Sequence, residues 1–331
     1  MSNAVPLDTT GYAKVKSSAR HSFQSPMSPV SRPPSLDPVA AARWLGRPLP
    51  ALISPWLHEE VASRMQERLD FITLQPQQWI HWEPLSGGVA AHRSLVQRYP
   101  KARAWLVCEQ SENALAARAL MARKWWQVLA WRDQKQQLGL PSESSADMLW
   151  ANMQLHGHPE PQALLRSWHQ ALSVNGFLMF SCFGPDTLRE LRQVYERAGW
   201  PQPAHEFTDM HDWGDMLVQA GFAEPVMDME RITLTYASPE ALLAELRELG
   251  RNLHVNRFAG LRGRTWKRSL LSALMALARP EHDGRLSLSF EIVYGHALKP
   301  QPRLKLAPKT EIGLDQMRHL LRSSGGMPDK L

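Results

Sequence analysis

Residues 77–92 read QQWIHWEPLSGGVAAH and contain the most informative turn in the chain. The apolar first part of this stretch is typical of a short buried strand, and the last part begins an amphipathic helix. A turn with Ser86, Gly87 and Gly88 lies between them. Where strands and helices alternate, ligands bind at the carboxyl ends of the strands. We therefore expect a cofactor near this turn.

Much of the remaining chain alternates in the same way. Three more apolar runs predict strands: ARAWLVCEQ (102–110), DMLWANM (147–153) and GFLMFSCF (176–183). WWQVLAW (125–131) is a further candidate strand with a helical alternative, and RDQKQQLGLPSESS (132–145) is predicted to be a loop. Strands that are apolar throughout predict a parallel sheet covered by helices on both faces.

Near its end the chain has a different pattern. PVMDMERITLTYAS (225–238) and RLSLSFEIVYGHAL (285–298) alternate apolar with polar residues, as antiparallel edge strands do. We predict an α/β, Rossmann-like, doubly wound and mostly parallel sheet with an antiparallel edge hairpin. The predicted domain spans 37–300 with a helical cap inserted at about 238–280. A disordered tail (1–36) precedes it and a polar tail (301–331) follows it.

Composition narrows the class of protein. The 331 residues are 44% hydrophobic and 21% charged, with a net charge of +6. No apolar run approaches the ~20 residues that span a bilayer, so we expect a cytoplasmic protein without a membrane contact. Cys108 and Cys182 each lie in an apolar strand-like run, which favours buried reduced thiols over a disulfide or a metal site.

The turn itself departs from a glycine-rich phosphate cradle. Glu83, Pro84 and Leu85 occupy the space, and Glu83 would repel a phosphate. S-adenosylmethionine, which carries a sulfonium and no phosphate, suits Glu83 better than a dinucleotide does. Gly87 and Gly88 would let the backbone approach this cofactor closely. Glu109 follows Gly87 by 22 residues, near the spacing of an acid that holds ribose hydroxyls, although a surface acid is the simpler alternative.

Four longer stretches carry a resemblance to a known family. They are DMLWANMQLH (147–156), GFLMFSCFGPDTLREL (176–191), FTDMHDWGDMLVQAGFAEPVMDMERITLTY (207–236) and GRLSLSFEIVYGHALKP (284–300). Together they resemble the malonyl-acyl-carrier-protein O-methyltransferase family of biotin synthesis over about residues 55–300. The resemblance implies a class I methyltransferase fold, S-adenosylmethionine as cofactor and an acidic acyl carrier protein that carries the substrate.

The chain departs from the family at three cofactor positions. The first motif, an acid followed by alternating glycines, is HWEPLSG (81–87) here; the adenine-binding acid falls near Gln136; and a tyrosine–acid pair falls at Ala51 and Leu52. Glu109 matches the family's ribose-binding acid. Two hypotheses follow. The turn is adapted to the same cofactor, or the chain has lost the cofactor and acts as a non-catalytic binding or regulatory partner.

Acceptor-side residues are expected just after the strand at 147–153. Asn152 and His156 would orient the methyl acceptor; as an alternative they are ordinary loop residues. The run TDMHDWGD (208–215) offers either a helix cap at Thr208 or Asp209, or a His211 or Trp213 that faces the substrate. His156, His158 and Glu160 lack the second ligand cluster that a metal site would require, so no metal is expected.

A basic segment lies in the predicted cap. Residues 251–268, RNLHVNRFAGLRGRTWKR, contain no acid and six cations: Arg251, Arg257, Arg262, Arg264, Lys267 and Arg268. Such a segment attracts an acidic partner, which predicts docking of the acyl carrier protein. A solvated helix end is the alternative. Nucleic acid is disfavoured because no reader motif or aromatic platform accompanies the charges, although a methyltransferase with another acceptor, including RNA, stays open. The sequence does not specify the oligomeric state.

Overall fold

The computed structural model describes residues 33, 35–49, 53–121 and 135–302, all within the compact unit Ser31–Leu331. The strands of this part of the chain are β1 (Gln78–Trp82), β2 (Arg103–Val107), β3 (Gln136–Leu138), β4 (Ala146–Ala151), β5 (Leu172–Phe183), β6 (Ala223–Tyr236) and β7 (Leu286–Leu298). Its α-helices are α1 (Pro38–Leu45), α2 (Trp56–Arg68), α3 (Pro84–Gly87), α4 (Val89–Arg98), α5 (Ser111–Ala117), α6 (Pro161–Ala171), α7 (Arg189–Arg197), α8 (Met210–Gln219), α9 (Pro239–Leu249) and α10 (Arg264–Leu274).

The strands form one sheet in the order β3-β2-β1-β4-β5-β7-β6. Strands β1 to β5 pair in parallel, whereas β7 lies antiparallel between β5 and β6. The chain runs outward from β1 in one direction and from β4 in the other, so the switch point lies between these two strands. The predicted α/β, doubly wound and mostly parallel sheet with an antiparallel edge hairpin is confirmed.

Helices cover both faces of the sheet. Trp79 of β1 packs in one buried cluster with Leu57 and Val61 of α2 and Leu95 of α4. The next residue of the strand, Ile80, belongs to a second cluster with side chains of α6 and α8. Successive side chains of a strand point to opposite faces, and because both faces of β1 are buried, tryptophan and isoleucine side chains fill most of the strand.

Strand β3 corrects one expectation. Gln136–Leu138 pairs with Ala104–Leu106, although the sequence pattern predicts a loop at 132–145. The polar residues Gln136 and Gln137 conceal the strand, and they are tolerated because they lie half-buried at an edge of the described sheet. The predicted strand at 125–131 lies outside the described residues.

The segment before α1 is attached to the cap. The Asp37 N–H donates to the Leu253 carbonyl at 2.8 Å, Leu36 forms a β-bridge with His254, and the Asp37 carboxylate pairs with Arg257 at 2.6 Å. The cap lies between β6 and β7 and contains α9 and α10. The tails predicted at 1–36 and 301–331 lie almost entirely outside the described residues and stay predictions.

Among the described helices, none has the length and apolar content needed to cross a lipid bilayer.

Candidate active site

The turn after β1 is held by Glu83. Its backbone is left-handed, with φ 51°, a conformation that costs energy in a residue with a side chain. Two hydrogen bonds offset that cost. The Glu83 N–H donates to the Val107 carbonyl at 2.7 Å, and the Glu83 carboxylate accepts the Glu109 N–H at 2.5 Å. Glu83 thereby joins the carboxyl ends of β1 and β2.

The environment of Glu83 favours its neutral form. Burial raises the pKa of this carboxyl to about 7; the hydrogen bond from the Glu109 N–H and the charge of Arg47 lower it, while the charge of Glu109 raises it. A carboxyl with this pKa exchanges its proton near neutral pH. A cationic ligand beside it would favour the charged form.

The bulky residues of the turn leave a cavity open. Leu85 is buried in an apolar cluster with Val89 and Leu106. Trp82 packs edge-on against Trp168 with 5.8 Å between ring centroids. Beside Trp82 and Leu85 lies a cavity of about 350 Å³ at the carboxyl ends of β1, β2 and β4. A cavity of this size is in the usual range of small-molecule sites.

The two glycines of the turn serve packing and do not line this cavity. A Cβ atom on Gly87 would lie 3.2 Å from the Asn152 carbonyl oxygen. Gly88 has φ +133°, and a Cβ there would lie 2.9 Å from that of Ala91. Gly88 requires glycine because of its positive φ and its close approach to the start of α4, whereas a side chain at Gly87 would force a shift of a few tenths of an ångström against the end of β4.

His58 of α2 is part of the cavity wall, and sequence reasoning missed it. Its Nδ1–H donates to the Ser86 carbonyl at 2.7 Å, which leaves Nε2 as a lone-pair acceptor. That Nε2 is buried and has no protein partner. Burial lowers the pKa of His58 to about 4, so the ring is neutral at pH 7. An unpaired buried acceptor is costly, and a ligand with an N–H donor would satisfy it.

Asn152 positions the wall without lining the cavity. Its Nδ2 donates to the carbonyls of His58, at 2.8 Å, and of Gly87, and its Oδ1 accepts the Ser181 hydroxyl at 2.6 Å. Gln154, which does line the cavity, donates to the Ser86 hydroxyl at 3.1 Å. Asn152 thus connects α2, the turn after β1 and β5, and its own hydrogen-bonding groups are engaged.

Charged side chains complete the cavity. Glu109 is one-third exposed, at 32% of its side chain, and lies 3.6 Å from the ring of His158. On the N-terminal side, the guanidinium of Arg47 stacks on the Trp44 ring at 3.1 Å, and that of Arg251 lies 5.1 Å from the same ring. Burial lowers the pKa of Arg47 to about 10, which keeps it cationic at neutral pH.

The structure brings some of the predicted site residues together and not others. Glu83, Glu109 and His156 line the cavity. His211 is exposed at the start of α8 and contacts Asp209 at 2.7 Å, and it lines neither this cavity nor the neighbouring one. Asp209 caps α8 by accepting the His211 N–H at 2.8 Å, as the helix-cap interpretation of this run predicts.

The basic segment is less uniform than its sequence suggests. Arg257 has a counter-charge in Asp37, which corrects the expectation that no acid compensates the segment. Arg262 stacks on Trp266 at 4.1 Å. Arg264, Lys267 and Arg268 are exposed on α10 and form no ion pair within the described part of the chain.

Two departures from the family pattern differ in outcome. Gln136 lies in β3, where its side-chain amide oxygen accepts from the His92 ring at 3.2 Å, and it does not line the cavity. Ala51 and Leu52 lie outside the described residues.

The residues present fit S-adenosylmethionine. Its sulfonium and α-ammonium are cationic, and three acidic residues, Glu83, Glu109 and Glu248, line the cavity. The unpartnered Nε2 of His58 matches an ammonium donor, and Arg47 matches an α-carboxylate. Sequence patterns miss His58 and Arg47 because only the fold brings these residues of the N-terminal segments to the sheet.

Comparisons with known proteins identify close relatives. No family model matches the chain. The malonyl-acyl-carrier-protein O-methyltransferase of Gallionella capsiferriformans is 38% identical over 255 residues, covering 75% of this chain and 86% of that protein. The protein of the same name from Laribacter hongkongensis is 39% identical over 267 residues, covering 76% and 86%. Among solved structures, a putative methyltransferase from Bacillus halodurans superposes with a TM-score of 0.47 at 15% identity, covering 72% of this chain and 99% of that one.

Proposed function

This chain belongs to the malonyl-acyl-carrier-protein O-methyltransferase family, and we propose that it methylates the free carboxylate of a malonyl group carried by an acyl carrier protein, as a step of biotin synthesis. S-adenosylmethionine is the methyl donor. The observation that carries the proposal is the open cavity beside the altered turn, lined by Glu83, Glu109 and His58. An open cavity leaves room for the cofactor and so favours the enzyme over the non-catalytic alternative.

The chemistry demands positioning more than side-chain catalysis. When bound, the cofactor supplies a methyl carbon to which a carboxylate oxygen forms a bond while the methyl–sulfur bond breaks and its electron pair returns to sulfur. No proton is removed, so no general base is needed. The two histidines of the cavity are accordingly weak bases. Burial lowers the pKa of His58 to about 4 and the pKa of His156 well below its ordinary value.

The residues in and behind the cavity wall then have positioning roles. Glu83 and Glu109 favour positive charge in the cavity and offer acceptors to hydroxyls, while His58 offers an acceptor to an ammonium. Asn152 holds the wall rigid, which preserves the alignment of two ligands on which the rate depends. Trp44 and Arg47 cover the cavity on the N-terminal side and exclude water.

The carrier docks on the exposed basic face of α10. Arg264, Lys267 and Arg268 lie three and four residues apart, which places them on one helix face, and no acid within the described part of the chain neutralises them. The fully exposed Leu261 lies just before this helix and adds an apolar contact. Arg257 is excluded from this surface because Asp37 engages it.

The experiment for catalysis is a methyl-transfer assay with malonyl-loaded carrier. Wild type should transfer the methyl group, and Glu109→Ala should weaken cofactor binding. A wild-type protein that binds no cofactor at millimolar concentration would refute the proposal.

Docking is tested separately by reversing charge on α10. Lys267→Glu with Arg268→Glu should raise the KM for the carrier-bound acceptor at least about tenfold and leave the KM for a small malonyl thioester unchanged. Lys101→Glu with Arg103→Glu, the same charge change at exposed positions elsewhere, is the matched control. Equal effects of the two pairs would remove the docking assignment.

A further inference from the structure

A second cavity lies next to the cofactor cavity. It has a volume of about 240 Å³, and six residues line both cavities: Trp44, His156, Gly157, Arg247, Leu249 and Arg251. Two adjoining cavities are the arrangement needed by a reaction that joins two ligands.

The interior of the second cavity is mainly apolar. Phe183 stands 5.5 Å from Phe207 and 5.8 Å from Phe290, centroid to centroid, and His156 lies 4.5 Å from Phe183. All four rings line the cavity. These walls suit an uncharged, flexible part of a ligand.

Two ring nitrogens on this wall, the Nδ1 atoms of His156 and His205, are buried without a partner in the described part of the chain. The Nε2–H of His205 donates to the His156 carbonyl at 2.7 Å, so the Nδ1 of His205 is a lone-pair acceptor. That Nδ1 is buried without a partner among the residues that the structure describes, and the residue is only 3% exposed. Its natural partner is an N–H donor such as an amide.

Two arginines with no ion pair stand where the cavities meet. Arg247 and Arg251 line both cavities, and neither pairs with a carboxylate of the described chain. The Arg251 guanidinium instead donates to the carbonyls of Arg247 and Gly250. Glu248 also lines the first cavity but forms no ion pair with either arginine in the described part of the chain. Two guanidinium groups without an ion pair form a site for an anion, and their geometry suits a carboxylate.

We propose that the second cavity is the acceptor chamber. It holds the acyl group with its carboxylate at Arg247 and Arg251 and with the first amide of the thioester arm donating to the Nδ1 of His205. A water-sized group occupies about 30 Å³. The chamber, at about 240 Å³, therefore has room for more than a malonyl group alone. This inference rests on the proposed function, because it assumes a thioester-linked carboxylate as acceptor.

The amide contact is tested with two small acceptors of equal length. One is the malonyl thioester of N-acetylcysteamine and the other a malonyl alkyl thioester without an amide. Wild type should show a KM about five- to tenfold lower for the amide-bearing acceptor, as one hydrogen bond predicts. His205→Phe should abolish that difference, whereas the control His169→Phe, on a ring outside both cavities, should preserve it. A preference that survives His205→Phe overturns the amide contact.

The anion site is tested by binding without cofactor. Intrinsic tryptophan fluorescence follows the binding of malonyl and acetyl thioesters, since Trp44 lines both cavities. Arg247→Gln or Arg251→Gln should weaken malonyl binding about tenfold or more and leave acetyl binding unchanged, and Arg197→Gln on α7 should change neither. Equal losses for both thioesters would overturn the assignment of these arginines.

Filling the chamber separates this inference from the proposed function. Ala204→Phe and Leu246→Trp each place a larger side chain at residues that line only the second cavity. Either variant should raise the acceptor KM at least tenfold with an unchanged Kd for S-adenosylmethionine, which also reports a folded protein. A wild type with activity and filled variants with an unchanged KM would refute the chamber alone, whereas an inactive wild type would refute the proposed function.

Discussion

The raised pKa of Glu83 makes cofactor binding depend on pH in a way that can be calculated. Burial raises this pKa to about 7, and a cationic cofactor binds the charged carboxylate. The protein must then release the Glu83 proton to bind. The apparent Kd therefore scales as 1 + 10^(7 − pH), which is about 11 at pH 6.0 and about 1.3 at pH 7.5.

We expect the Kd for S-adenosylmethionine to fall about eightfold from pH 6.0 to pH 7.5. Calorimetric titrations in two buffers of different ionisation enthalpy should detect release of about half a proton per cofactor at pH 7.0. Glu83→Gln keeps the oxygen that accepts the Glu109 N–H but cannot carry charge. Its Kd should be about ten- to a hundredfold weaker at pH 7.5 and should lack this pH dependence.

The same substitution tests the account through stability. The pKa of Glu83 is higher in the folded than in the unfolded protein, so the folded state binds the proton more strongly. Deprotonation of Glu83 therefore lowers the free energy of unfolding as pH rises from about 4.5 to about 7. At pH 7 this loss is on the order of 3 kcal/mol. Glu83→Gln without cofactor should unfold at higher denaturant than wild type at pH 7.5 and lose this advantage near pH 4.5.

A matched control is Glu112→Gln, at an exposed position of α5 that does not line the cavity. It should leave both the Kd and its pH dependence unchanged. A wild-type Kd that is constant between pH 6.0 and 7.5, with no proton release, would refute a role for Glu83 in binding a cation.

Further substitutions test the frame of the site by chemical denaturation. Asn152→Ala should lower the free energy of unfolding by about 2–4 kcal/mol, because it leaves the buried His58 and Gly87 carbonyls without their donor; the exposed Asn256→Ala should change it little. Gly88→Ala should cost about 1–3 kcal/mol, given its φ of +133° and a Cβ 2.9 Å from that of Ala91, whereas Gly263→Ala, with open space around it, should cost a few tenths of a kcal/mol. Asn152→Ala as stable as wild type, or equal losses at the two glycines, would contradict these contacts.

Most of the fold could be predicted from the sequence because hydrophobic periodicity depends on local burial. Strands β1, β2, β4 and β5 are mainly apolar since both faces of the sheet are covered. Strand β3 escaped prediction because its glutamines lie at an edge of the described sheet, where packing no longer demands apolar residues.

The candidate site was harder to predict because most of its residues act through tertiary contacts. Glu83 and Glu109 stand out as acids at strand ends, and both line the cavity. The spacing of Gly87 and Gly88 suggests a cofactor contact, yet their backbone approaches the end of β4 and the start of α4. His58, Arg47 and Arg247 reach the cavities from segments far from β1 in sequence, and no local pattern marks them.

The most direct test of the account is mass spectrometry of malonyl-loaded acyl carrier protein after incubation with this protein and S-adenosylmethionine. We predict that the carrier-bound acyl group gains the mass of one methylene. A carrier whose mass is unchanged, beside a protein that is folded and saturated with cofactor, would contradict the claim that this cavity transfers a methyl group to that carboxylate.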